Sequence, residues 1–205
     1  MLLELNDPPP LLYVRGHMPD KSCKSVALVG AEDATHPGIE LTVKLAGLFA
    51  RAGVQVVSSI SKGIDAAAHI GARASNGVSY GVLDSGLDHI HPSEHVPLAI
   101  DIAQSGGVIS EYPPEQSYTD GNVASSNRLV AGLAQAVVVT EMYRTSERSH
   151  DLLRFCRQIG KLAFLMVDST QGALADNESV AEAVACGAIP MTGLEKVQDI
   201  IRVLV

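Results

Sequence analysis

The chain has 205 residues, 46% of them hydrophobic, and a formal net charge of -8. That length supports one well-buried core. The acidic balance excludes a generic basic nucleic-acid surface, so any nucleic-acid binding has to rest on a local patch. Cys23, Cys156 and Cys186 form no CxxC pair, which argues against a disulfide framework or a structural zinc. The opening MLLELNDPPP does not read as a signal peptide, and no apolar run approaches the ~20 residues of a membrane span. These features predict a reduced, soluble, cytoplasmic protein.

Residues 1–22 read as an arm. Pro8 to Pro10 exclude a helix there, and Leu11 to Val14 form a short extended apolar run suited to a packed strand. From Val26 the pattern alternates. Short β-branched runs at 26–29, 54–57, 78–83, 107–110, 136–140 and 162–167 predict strands, apolar throughout as expected when both faces are covered. Between them, 37–52, 64–75, 93–105, 125–134 and 146–159 predict helices, with Gly53, Gly77, Gly106 and Gly160 where helices should stop. In the tail, VAEAVACGA and LEKVQDIIRVL predict two helices around an added edge strand, AIPM. The repeated βα rhythm predicts an α/β, doubly wound, mainly parallel sheet over 23–205, as a single domain.

Ligands of such sheets bind beyond the carboxyl ends of the strands, so the turns after each strand carry the candidates. They are Gly30-Ala31-Glu32-Asp33; Ser58 to Asp65, with Ser59, Lys62 and Gly63; Asp84 to Asp88, with Ser85 and Gly86; Glu111 to Pro114; Ser125 to Arg128, with Asn127; and Thr140 to Arg144. Small residues admit a ligand to the backbone, and free N–H groups at helix starts favour anions. Lys62, Arg128 and Arg144 add positive charge, and Asn127 both donates and accepts. Each has a plainer reading: Gly30, Gly63 and Gly86 as tight turns, Lys62 as a solvated loop lysine, Asp65 as a helix cap, His69 as a core histidine. A cation at Arg128, in the first turn of a helix, opposes the helix dipole.

GxGxxG and GxxxxGK[ST] are absent. HIHPSEH lacks a zinc-protease spacing, and no Ser-His-Asp set is legible, so no cofactor, metal or catalytic group is assigned. Between Arg73 and Arg128 there is no Lys or Arg, while Asp84, Asp88, Glu94, Asp101, Glu111, Glu115 and Asp120 all fall there. A phosphate track across that third is excluded unless Lys62, Arg128, Arg144 and Arg148 gather elsewhere.

DPPPLLYVRG, VALVG before a THPG helix start, KGIDAAAHIGA, LDSGLD, HPSEH, GGVISEYPP and NVASSNRLVAGLA follow one another in the order found in the DNA-processing protein A family, also called Smf or DprA. From about Asp7 to Val167 the chain resembles that family's central domain. The resemblance implies an extended Rossmann-like fold, single-stranded DNA binding, homodimers, RecA loading during natural transformation, and no catalytic activity. It implies phosphate contacts at Lys62 and Arg128, with Gly30, Ser59, Gly63, Ser85, Gly86, Asn127 and Arg144 around them.

The departures from the family pattern concern charge. Gly-Ser-Arg is Gly30-Ala31-Glu32 here, Ala-Arg-Gly-Ile-Asp is Ser61 to Asp65, Arg-Asn-Arg is Ser126-Asn127-Arg128, and Ser-Gly-Ser is Glu147-Arg148-Ser149. Each lost phosphate contact lowers salt-sensitive affinity. The family's flanking helical or winged-helix domains are not read in these 205 residues. Two other readings stand beside DNA binding on the same fold: a nucleotide or small-ligand sensor, and a nucleoside monophosphate phosphoribohydrolase with Glu141 and Glu147 as substitutes for that enzyme's glutamate.

Overall fold

The computed structural model describes Leu2, Leu5, residues 7–169 and residues 172–204. Positions 1, 3, 4 and 6 of the expected arm, and 170, 171 and 205 of the expected domain, lie outside the described residues. The strands are β1 (Tyr13–Gly16), β2 (Ser25–Gly30), β3 (Gln55–Ser59), β4 (Ser79–Val82), β5 (Gly107–Ser110), β6 (Ala136–Glu141), β7 (Leu162–Ser169), β8 (Gly172–Ala173) and β9 (Ile189–Thr192). The helices are α1 (His36–Arg51), α2 (Ile64–Ala74), α3 (Val96–Ser105), α4 (Val123–Leu133), α5 (Glu147–Gln158), α6 (Asn177–Ala185) and α7 (Val197–Leu204).

Among the described residues the strands form one sheet in the order β1-β5-β4-β3-β2-β6-β7-β8, with β9 also paired to β7. The interior pairs, from β5 to β7, are parallel. The arm contributes β1, which closes one side antiparallel to β5, Val14 opposite Ile109. On the other side β9 runs parallel to β7 and β8 antiparallel to it. The order reverses between β2 and β6, whose next strands run off in opposite directions. That is where a doubly wound sheet opens a crevice at its carboxyl edge.

The apolar strand runs split residue by residue between two faces, because successive side chains alternate across a strand. Val26, Leu28, Val56, Val138 and Met166 pack under α1, α2 and α7, around Leu45, Phe49, Ala68 and Ile200. Ala27, Val29, Val57, Val139 and Leu165 face α4, α5 and α6, around Leu129, Leu133, Leu152 and Ala183. A third cluster, with Ile60, Leu83 and Ile102, seats α3. Each fully buried Leu, Ile or Phe side chain contributes about 1.5–3 kcal/mol of transfer free energy. No helix among the described residues is long and apolar enough to cross a membrane.

Two helix boundaries differ from expectation for a local reason. The helix expected over 93–105 begins as a 3-10 turn at Ser93–His95, and α3 starts at Val96 with Pro97 in its first turn, where a missing N–H costs nothing. Gly53 and Gly160 end their helices at positive φ, 74° and 65°, but after α2 that conformation falls on Asn76 (φ 54°) rather than Gly77. Asn is the side chain that best tolerates the left-handed region. Two-residue β8 was not expected at all.

Candidate nucleic-acid interface

The turn after β2 is built to hold the protein's own carboxylates. The Gly30 amide donates to Asp65 at 3.3 Å. Thr35 caps α1, its Oγ1 accepting from the Gly38 amide at 3.2 Å. Both carboxylate oxygens of Glu141, at the end of β6, lie 3.0 and 3.2 Å from the Thr35 amide, and Tyr143 donates to Glu141 at 2.7 Å. Glu141 is fully buried, and its Oε2 fills the space a Cβ on Gly38 would need. The electropositive start of α1, where this fold commonly seats a phosphate, is therefore occupied by a side chain of the chain itself. Glu32 and Asp33 are exposed beside it and line, with Tyr143, Glu147 and Arg148, a cleft of about 280 Å³ at the switch point.

Asp65 does not cap α2. Its carboxylate is 2% exposed and turns inward to the Gly30 amide and to Ser59, which donates to it through a short bond. Burial pushes its pKa up to about 6, against the attraction of Arg148 and these hydrogen bonds. His69 is a core histidine, as read from the sequence. It is fully buried, its Nε2 bonds the Ser59 carbonyl at 2.9 Å, and burial lowers its pKa to about 4.

Several residues expected to face a ligand are engaged inside the protein instead. Ser59 bonds Asp65 and Ser61, Ser85 donates to the His89 carbonyl at 2.6 Å, and Asn127 donates to the Arg148 carbonyl at 3.1 Å. All three are buried. Gly63, at φ 65°, has the Ala31 and Glu32 carbonyls where a Cβ would go, and Gly86 has those of Pro113 and Pro114. These glycines let one loop approach another.

The acids of the stretch without Lys or Arg do not form an unbroken negative face, because cations from outside the stretch reach back to them. Arg148 makes a two-pronged pair with Asp84 at 2.7 and 3.1 Å. Arg128 pairs with Glu111 and, at 3.4 Å, with Asp7 of the arm. Arg73 pairs with Asp101, Arg15 with Asp88 at 3.1 Å, and Lys62 with Glu94 at 2.9 Å. The basic side chains of the carboxyl edge thus differ in availability. Arg128 and Arg148 are 13% and 15% exposed and held by the half-buried carboxylates of Glu111 and Asp84. Lys62 and Glu94 are 55% and 61% exposed, a solvated pair worth little and easily exchanged. The hydrogen bond and charge of Glu94 raise the Lys62 pKa, so the amine stays protonated. Arg144 is exposed near Glu178 at 3.7 Å.

The histidines of HIHPSEH point to different tasks. His95 Nδ1 bonds the Ile60 carbonyl at 2.8 Å. His91 stacks on Tyr118, ring centroids 4.2 Å apart and planes inclined by 19°. Lys62, His91, Glu94, Ser117 and Tyr118 line an open cleft of about 550 Å³.

Sheet order and the crevice at the switch point define a Rossmann-like, doubly wound domain whose first helix start is filled from within. Comparison with known proteins narrows the class. The family model for DNA recombination-mediator protein A matches residues 1–199, and the chain belongs to that family. Protein Smf of Synechocystis is 36% identical over 145 residues, 69% of this chain and 36% of that protein. The DprA structure from Streptococcus pneumoniae superposes with a TM-score of 0.85 at 27% identity, covering 97% of this chain and 69% of that one. DNA processing protein A from Helicobacter pylori, for which a unique single-stranded DNA binding mode is described, has the same fold: TM-score 0.82, 24% identity, 99% and 90% coverage. The chain spans between 36% and 48% of the length of three curated relatives it matches.

Neither alternative reading is favoured. Glu141 occupies the helix start that a nucleotide phosphate would use. Of the two glutamates considered for phosphoribohydrolase chemistry, Glu141 is buried and engaged while Glu147 is exposed.

Proposed function

We propose that this chain binds single-stranded DNA along the carboxyl edge of its sheet, with a backbone phosphate at Lys62 and the start of α2. One observation carries the proposal. Helix α2 begins at Ile64, after Gly63, with no side-chain cap and with its Ile64 amide donating to the Ala31 carbonyl at 3.1 Å, beside the solvated Lys62, whereas α1 is capped by Thr35 and filled by Glu141. A helix start without a side-chain cap, next to an exchangeable lysine, favours an anion; α3, α4 and α5 also lack a side-chain cap, so it is the lysine that singles out α2. In this reading a phosphate oxygen displaces Glu94, the present partner of Lys62. Family membership supports DNA as the source of that phosphate, and the Helicobacter relative supports a single strand. Arg144, in the turn between β6 and α5, extends the edge, while Arg128 and Arg148 act as internal ties.

Oligo-dT titrations across a salt series test this. Lys62→Ala will weaken binding and reduce the slope of log K against log salt by roughly 0.7, the value of one single-strand phosphate contact. Glu32 is exposed on the loop whose carbonyls pack against Gly63, so Glu32→Arg will tighten binding and steepen the slope. Absence of binding at low salt, or a Lys62→Ala slope equal to the parent's, rejects the proposal. An unchanged Glu32→Arg affinity places the β2 turn away from DNA.

The finer roles follow the family: DNA processing in natural transformation, RecA loading as partner function, a cytoplasmic setting, and binding without catalysis. For the homodimer, the surface that fits a second copy is the β9–α7 side. There Ile189 and Val203 are 47% and 67% exposed, around an apolar cleft of about 330 Å³ shared with Phe164, Pro190 and Ile200. Such a patch beside an edge strand favours self-association. Val203→Asp will shift sedimentation from dimer to monomer; an unshifted dimer removes this face.

A further inference from the structure

We infer that His91, backed by Tyr118, is a stacking platform for one base of the single strand whose phosphate is held at Lys62. The inference rests on the single-strand reading above and adds what the base does. Aromatic residues make up only 4% of the chain, and Trp is absent. Two aromatic rings are nevertheless stacked in a cleft at the carboxyl edge, with His91 exposed. One face of the imidazole lies on Tyr118, which fixes the ring plane, and no second aromatic among the described residues stacks on it. Tyr118 is itself held by donating to Asp120 at 2.9 Å.

The platform is preorganised, so a base arriving on it orders little that is not already ordered. Lys62 lines the same cleft. A stacking surface beside a cation is how sequence-tolerant single-strand sites are built, because every base offers a π-face and every nucleotide a phosphate. Burial and the bond to Asp120 push the Tyr118 phenol up to about 12, so no phenolate adds to the local negative charge. Duplex DNA keeps its bases stacked on each other and offers none to the ring. The platform therefore selects for single strands.

The experiment compares oligo-dT with an abasic oligomer of equal length by fluorescence anisotropy, on the full chain. The parent will prefer oligo-dT by roughly tenfold, the effect of one stacked base. His91→Ala will lose that preference, keeping its affinity for the abasic oligomer and its salt slope, while Lys62→Ala will weaken both ligands and reduce the slope. Equal parent affinities for the two oligomers, or an unchanged preference in His91→Ala, overturn the platform and leave the single-strand reading standing. If the parent binds neither oligomer, the single-strand reading fails and takes the platform with it. His91→Trp supplies an independent readout, since the chain then has a single tryptophan. Its emission will be quenched as oligo-dT saturates. Unquenched emission with DNA bound by anisotropy overturns the inference.

Discussion

Arg148→Ala will lower unfolding stability by about 3–5 kcal/mol in urea titrations, the range for removing one member of a buried ion pair. The guanidinium is 15% exposed and Asp84 9%. Two hydrogen bonds join them, and a third runs at 3.0 Å from Arg148 to Ser126 Oγ. Burial works against the Arg148 charge, but the attraction and hydrogen bonds of Asp84, with further attraction from Asp65 and Glu32, leave its pKa raised. Truncation strands the Asp84 carboxylate away from water and also removes the charge that holds Asp65 down. Arg148→Lys keeps the charge but not the fork geometry, and its loss will be smaller. Arg148→Met combined with Asp84→Leu will recover most of the stability, because replacing both partners removes the desolvation cost along with the attraction. If Arg148→Ala unfolds at the parental urea concentration, the pair is not a structural tie. Arg148 would then return as a candidate for phosphate.

The fold was legible where its signals are local. Strands buried on both faces leave uninterrupted apolar runs such as Val26 to Val29, and the helix ends at Gly53 and Gly160 follow from a conformation that glycine favours. The short β8 carries no pattern, because Gly172-Ala173 supplies neither alternation nor branching. The site was legible in outline, since Lys62 beside Gly63 marks a turn with a cation in the sequence itself. Its electrostatics were not. A stretch without Lys or Arg reads as an acidic face, yet Arg15, Lys62, Arg73, Arg128 and Arg148 reach it from outside. Such pairing is set by which elements pack together, and sequence spacing does not encode it. The same holds for Glu141, which reads as the polar end of a strand. Only the β2–β6 pairing brings it over the first turn of α1, 106 residues from Thr35. His91 and Tyr118 likewise stack across a separation with no local periodicity.

Asp65→Asn will stabilise the chain above pH 6, by about 2 kcal/mol, and will have little effect near pH 4; a tenfold change in proton affinity is worth about 1.4 kcal/mol. The native Asp65 pKa of about 6 lies above the ordinary aspartate value of 3.8. The folded state therefore binds this proton more tightly than the unfolded state, and stability falls as pH rises from about 4 to 6. Asparagine keeps an acceptor for the Gly30 amide and offers a donor to Ser59 without the buried charge. His69 contributes the opposite slope over nearly the same window. Its native pKa of about 4 lies below the ordinary histidine value of 6.5, so the unfolded state binds that proton more tightly and stability rises with pH from about 4 to 6.5. Both groups are tied to Ser59, Asp65 through its hydroxyl and His69 through its carbonyl, and their pH dependences largely cancel in the parent. Asp65→Asn leaves the His69 slope uncovered, so its stability climbs more steeply than the parent's between pH 4 and 6.5. His69→Gln does the reverse. Asp20, Glu94 and Asp176, whose pKa values are lowered by their hydrogen bonds, contribute a rise with pH common to all three proteins, so the differences between profiles isolate the pair. Urea titrations at pH 4.5, 5.5, 6.5 and 7.5 decide the matter. An Asp65→Asn profile parallel to the parent's means that Asp65 is not protonated near pH 6, and that the cancellation beneath the Gly30 turn does not exist.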